Sequence, residues 1–106
     1  MTTKAEMLKD IKYTEAKLID NNTVRYVCSN GDIVIRLHLT DILIFSKDGN
    51  VIFNTAGYRT ITTKNRMNKW QTIGHIIHEN YVWYIVVDKI RHLYFDGITF
   101  PGKENK

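Results

Sequence analysis

Arg59, Thr62, Thr63, Lys64, Arg66, Lys69 and Trp70 fall within one twelve-residue window, and together they carry the chemistry that an anion needs. Two hydroxyls, two guanidinium groups and two ammonium groups donate hydrogen bonds and positive charge to a phosphate. Free backbone amides at a helix start would add to them. The Trp70 indole, four residues after Arg66 on a helix, offers a face on which a guanidinium or a base can lie. No Asp or Glu occurs between Asp48 and Glu79, so the segment has no acid of its own. The plainer alternative is a solvated helix face whose threonines only cap the helix.

Other constellations are weaker. The four histidines are His38, His75, His78 and His92. His75 and His78 lie three apart in a strand-like run, which puts them on opposite faces and suits no shared metal. Cys28 is the single cysteine, so no internal disulfide forms; it reads as a small core residue in a reducing compartment. Asp41 stands alone, as a turn or bulge residue whose carboxylate bonds backbone amides. Paired carboxylates and a glycine-rich phosphate loop are absent from the distinctive stretch. The expectation is therefore no enzyme, no metal and no cofactor.

The elements that must position the basic segment can be read in order. Thr3-Lys4-Ala5-Glu6 resembles a capping box and predicts a short helix over about 4–11. Tyr13 to Ile19 reads as a strand, turned by Asp20-Asn21-Asn22 into Thr23 to Cys28. Asn30-Gly31 predicts a type I′ hairpin turn. Ile33 to Thr40 alternates, with Ile33, Ile35, Leu37 and Leu39 inward and Val34, Arg36, His38 and Thr40 on a half-polar face. At Asp41 that period would bury a carboxylate, so a bulge or break at Thr40-Asp41 is expected. Ile42 to Phe45 resumes, and Asp48-Gly49 turns into Val51 to Phe53.

Gly57 ends this run, and Thr62 or Thr63 caps a helix to about Gln71, stopped by Gly74. Met67 and Trp70 form its inner side, and Arg66 stacks on Trp70. His75 to His78 and Tyr81 to Val87 read as a hairpin around Glu79-Asn80. Its second strand is apolar on both faces and should be covered on both. Asp88 to His92 is a charged connection. Leu93 to Phe95 and Ile98 to Phe100 form a last hairpin at Asp96-Gly97, before a polar tail over about 101–106. The fold class is α+β, a mostly antiparallel twisted sheet with one or two short helices. The expected core includes Leu37, Leu39, Phe53, Met67, Val82 and Ile85. Tyr58, Tyr81, Trp83 and Tyr84 are core candidates before they are stacking surfaces.

With 106 residues the chain makes one domain able to bury a core, and 43 % hydrophobic residues argue against general disorder. The formal net charge of +4 equals the four cations of the basic segment, Arg59, Lys64, Arg66 and Lys69. No apolar run is long enough for a membrane helix, and MTTKAEMLKD lacks the apolar region of a signal peptide, so no membrane partner and a cytoplasmic location are expected.

Arg36-Leu37-His38, Thr40-Asp41-Ile42, Asp48-Gly49, Asn54 to Thr60, Thr62-Thr63-Lys64 and Arg66-Met67-Asn68 together resemble a family of small uncharacterised proteins from tailed bacteriophages and prophages. Val82-Trp83-Tyr84 and Asp96-Gly97 resemble its second half. Where the pattern has two adjacent glycines, this chain has Ala56-Gly57. The resemblance implies phage origin and work in a host cytoplasm, and no activity. Two functions follow as expectations. One is a binding module that takes nucleic acid, or another phosphate-bearing or acidic partner, on the basic helix. The other is an inhibitor of a host protein, in anti-defence or host takeover. Oligomeric state is left open.

Overall fold

Among the described residues, nine strands form two antiparallel sheets and one helix packs against them. The computed structural model describes residues 15–102, so the expected helix over 4–11, the first two residues of the Tyr13 strand and the end of the polar tail lie outside the described residues. In chain order the elements are β1 (Glu15–Asp20), β2 (Thr23–Val27), β3 (Ile33–Leu37), β4 (Thr40–Phe45), β5 (Asn50–Phe53), α1 (Ile61–Lys69), β6 (His75–Glu79), β7 (Val82–Val87), β8 (Ile90–Leu93) and β9 (Thr99–Pro101). The larger sheet runs β1-β2-β3-β4-β5-β9 and the smaller β6-β7-β8. This is the expected α+β class, divided over two sheets.

One core joins the sheets. Ile35, Leu37, Leu43 and Phe53 of the large sheet meet Ile76, Trp83 and Ile85 of the small one, and Met67 of α1 fills the space between. Phe53, Met67 and Ile85 are fully buried and Leu37 nearly so. The opposite face of the large sheet carries a smaller cluster, Val24, Tyr26 and Val34, with Cys28 packed against it. Val34 and Arg36 are therefore buried too, and that side of β3 is more enclosed than its alternation suggested.

Two bulges place charged residues. Pairing in β3–β4 passes from Ile35↔Leu43 to Arg36↔Asp41, which leaves Ile42 as the extra residue. Ile42 and Leu43 can then both be buried, while the Asp41 carboxylate joins Arg36 on the other face. The bulge thus solves the problem that Asp41 posed, one residue later than expected. Asp41 bonds the Arg36 guanidinium and the Tyr26 hydroxyl (3.0 Å), not the backbone amides expected of it. In β1–β2 the pairing shifts between Leu18↔Val24 and Asp20↔Thr23, leaving Ile19 extra. That bulge turns both Ile19 and Asp20 toward the helix side of the sheet.

The turns depart from expectation in informative ways. Gly31 and Gly49 do take positive φ, +100° and +93°. Neither loop is a type I′ turn. Gly31 N donates to Cys28 O and Cys28 N to Asp32 O; Gly49 N donates to Ser46 O and Ser46 N to Asn50 O. Each is a three-residue loop whose glycine sits at the left-handed bulge position. The strand from Ile33 ends at Leu37, not Thr40, because His38 and Leu39 form a two-residue turn with His38 at φ +54°. Leu39 is consequently 65 % exposed, a correction to its place in the core.

Asn80-Tyr81 and Asp88-Lys89 make two more turns with both residues at positive φ and no glycine. Tyr81 is a fully exposed turn residue, and the supposed charged connection is a turn followed by β8. The expected last hairpin does not form. β8 pairs with β7 and β9 with β5, which sends the two halves to different sheets. β7 is central, but Trp83, Ile85 and Val87 are buried while Val82, Tyr84 and Val86 are only half-buried, so its second face is not fully covered. Gly74 is needed for close packing rather than as a helix stop: a Cβ there would lie 2.8 Å from a Val87 methyl.

Candidate functional site

Thr60, with extended backbone angles, caps α1; the Thr63 amide donates to its hydroxyl at 3.1 Å. Thr63 is buried, its hydroxyl 3.0 Å from that of Thr60, and Thr62 is exposed in the first turn. The cap is thus neither Thr62 nor Thr63. The helix ends at Lys69, where the Trp70 amide still donates to Arg66 O.

The four cations of the segment separate. Arg66 and Lys69 lie on the side of α1 that faces β1 and β2. Lys69 Nζ donates to Asp20 Oδ2 at 2.8 Å, and Arg66 lies 3.6 Å from Asp20 Oδ1. Arg66 Nε also donates to Thr23 Oγ1 at 3.1 Å, and that hydroxyl donates to Asn21 O. The segment therefore has an acid beside it, supplied by a residue far away in sequence. The hydrogen bond from Lys69 and the Asn21 amide hold the Asp20 carboxyl down to about 2. Lys64 lies on the other side of the helix, the side on which Asn68 bonds Ile76, and forms no ion pair among the described residues. Arg59 lies apart from both, over the rings of Tyr94 (5.0 Å) and Trp83 (5.9 Å).

Trp70 does not receive Arg66. Lys69 takes that place, its ammonium 5.3 Å from the indole centre. Arg66 is drawn away by Asp20 and Thr23, whose combined hydrogen bonding exceeds what a ring face offers.

Two cations that the sequence reading overlooked complete this face. Lys17 pairs directly with Arg25 across β1–β2. Arg25 is two residues from Thr23 on the same strand, so both cations point to the side of the sheet on which Arg66 and Lys69 sit. Neither Lys17 nor Arg25 has an acidic partner among the described residues. Among the described side chains, these four cations thus share the face with the Asp20 carboxylate, which is already engaged. Like charges directly opposite in a sheet are destabilising, and among the described residues nothing offsets this pair. The signal for it was present in the hairpin, since Lys17 and Arg25 flank the Asp20-Asn21-Asn22 turn at nearly equal distances.

Two clefts adjoin α1. At its C-terminal end a cleft of about 610 Å³ is lined by Phe45, Asn50, Val51, Lys69, Trp70 and Thr72 among others. At its N-terminal end one of about 460 Å³ is lined by Leu37, Leu39, Ile42, Tyr58, Thr60 and Thr62 among others. Leu39, Tyr58 and the nearby helix residue Ile61 are all exposed there. The Ala56-Gly57 corner leading into this end has φ +52° and +86°. Asp96 ties it down, accepting from the amides of Thr55 and Gly57 and the hydroxyls of Thr55 and Tyr94. Burial pushes the Asp96 carboxyl up, but these four donors outweigh it and leave it below the ordinary aspartate value.

Among the described residues, no three His, Cys, Asp or Glu side chains gather as a metal ion requires. Burial, then the nearby Asp32, pushes the Cys28 thiol up, away from a reactive thiolate. No described helix is long and apolar enough to cross a membrane.

A family model described as Kyanoviridae Gp96 protein matches residues 2–101 of the chain. Neither a search of curated proteins nor a search of solved structures finds a match.

Proposed function

The chain belongs to the Kyanoviridae Gp96 protein family, a bacteriophage family, and from that premise we propose that it is a non-enzymatic accessory protein that binds a polyanion, nucleic acid foremost, on the face formed by α1, β1 and β2. The observation that carries this reading is the pairing of Lys17 with Arg25, beside Arg66 and Lys69, neither Lys17 nor Arg25 having an acidic partner among the described residues. A row of phosphates supplies countercharge to this face. Asp20 and Thr23 preset the cations: they hold Arg66 and Lys69 in place before any ligand arrives, which lowers the ordering cost of binding. Arg59 and Lys64 stand outside this face.

The test is titration of a labelled oligonucleotide, followed by fluorescence anisotropy over a salt series. Affinity should fall with salt. The Lys17→Ala, Arg25→Ala double variant should bind more weakly, with the log–log salt slope reduced by about 1.4 on a single strand, at about 0.7 per lost phosphate contact. Salt-independent affinity, or an unchanged slope in the variant, rejects the reading.

A second reading, inhibition of a host protein, is favoured by the cleft at the helix start, where Leu39 and Tyr58 of its lining expose apolar surface. A stoichiometric host protein retained in a pull-down from lysate, unaffected by nuclease and lost on Leu39→Asp, would select it.

A further inference from the structure

We propose that the cleft at the C-terminal end of α1 seats an unpaired base, so that the partner of the basic face is single-stranded nucleic acid rather than a duplex; this rests on the polyanion reading above. Lys69 belongs both to the basic face and to the cleft wall, where Trp70 lies beside it, so a strand with its phosphates on Arg66 and Lys69 passes the cleft mouth. The floor lies on the same side of the large sheet as Arg25. Phe45 pairs with Ile33 and Ile33 with Val27, two residues along β2 from Arg25. Two strand spacings, about 10 Å, separate β2 from β4.

The cleft suits a base. Its volume of about 610 Å³ is that of a small-ligand site, and its apolar lining includes the aromatic rings of Phe45 and Trp70 with Val51 and Ile73. Stacking on aromatic rings is how single strands are held without strict sequence preference. A paired base is stacked within its duplex and cannot enter. The side chains of Asn50 and Thr72, both exposed, make no hydrogen bond among the described residues, and they bring donors and acceptors to the rim. Gln71 is different: its amide is consumed by Met67 O and Gly74 O and by the amides of Ile73 and Gly74, so it fixes the wall. The indole N–H of Trp70 is buried and meets no acceptor. A base carbonyl is such an acceptor, and reaching it requires the indole to turn toward the cleft, which makes Trp70 a reporter of entry.

Three probes of equal length separate the two ideas: an oligothymidylate, the same backbone carrying abasic sugars, and a duplex. The oligothymidylate should bind roughly five- to a hundredfold more tightly than the abasic strand and quench tryptophan fluorescence, which the abasic strand should not. Trp70→Ala should remove that preference while leaving abasic-strand affinity in place. Asn50→Ala, at an exposed rim position, should reduce it severalfold and covers the case in which the Trp70 variant does not fold. Equal affinity for all three probes without quenching would overturn base seating and leave the polyanion reading standing. A preference that survives both substitutions would also overturn it, by placing the bases elsewhere. No binding to any probe would remove both.

Discussion

Asp20 at the end of β1 accepts a 2.8 Å hydrogen bond from Lys69 at the end of α1. Asp20 titrates at about 2 in the folded protein, below its ordinary value of 3.8. A carboxylate whose pKa is depressed by folding adds stability above its unfolded pKa, and that stability is lost as pH falls through the folded value. The thermal midpoint of the parent should therefore drop between about pH 4 and pH 2. Asp20→Asn should lose part of that drop and should melt lower than the parent at pH 7. A melting profile as steep as the parent's over that range would show that the acid dependence comes from other carboxylates.

The helix cap separates three neighbouring threonines. Thr60→Ala removes the acceptor for the Thr63 amide and should cost about 0.5–2 kcal/mol in chemical denaturation. Thr62→Ala, at an exposed first-turn position, should stay within about 0.5 kcal/mol of the parent. Equal effects at Thr60 and Thr62 would reject the cap assignment.

Leu37 and Leu39 test the strand boundary. They share the spacing of one strand face, but Leu37 is 5 % exposed and Leu39 65 %. Leu37→Ala should cost about 2–5 kcal/mol by loss of burial and the cavity left behind. Leu39→Ala should change stability by less than about 0.5 kcal/mol. Similar losses at the two positions would place the turn elsewhere.

These contrasts show what local sequence carries. Helical spacing predicts that Arg66 and Lys69 lie together while Lys64 points away, and the structure places them so. The need to keep Asp41 out of the core announces a bulge, and one forms beside it. The His38-Leu39, Asn80-Tyr81 and Asp88-Lys89 turns are harder to see, because positive φ is held there by the pairing of the flanking strands and no glycine marks it. Leu39 simply continues an alternation that the backbone has already left. The partner of Lys69 was invisible for another reason. Asp20 lies 49 residues away in sequence, and only the packing of α1 against β4 and β6, with the Ile19 bulge turning Asp20 inward, brings the Lys69 side chain to it. For the same reason, β9 finds β5 instead of the strand nearest to it in sequence.

The Lys17–Arg25 pair separates stability from function. Two cations held opposite one another repel, and a cross-strand pair of opposite charge would instead attract. Arg25→Glu should therefore stabilise the fold by about 0.2–1 kcal/mol, even though half-buried Arg25 loses some contact of its aliphatic stem. The same substitution takes two charges from the basic face and sets a carboxylate where a phosphate would lie. Affinity for an oligonucleotide at low salt should fall by more than in Arg25→Ala, and the difference should narrow as salt rises. The two measurements are a denaturation midpoint and an anisotropy titration on the same preparation. A gain in stability with a loss of binding means that the repulsion is retained for the ligand. A gain in stability with unchanged binding would make the pair a surface feature and move the working face elsewhere.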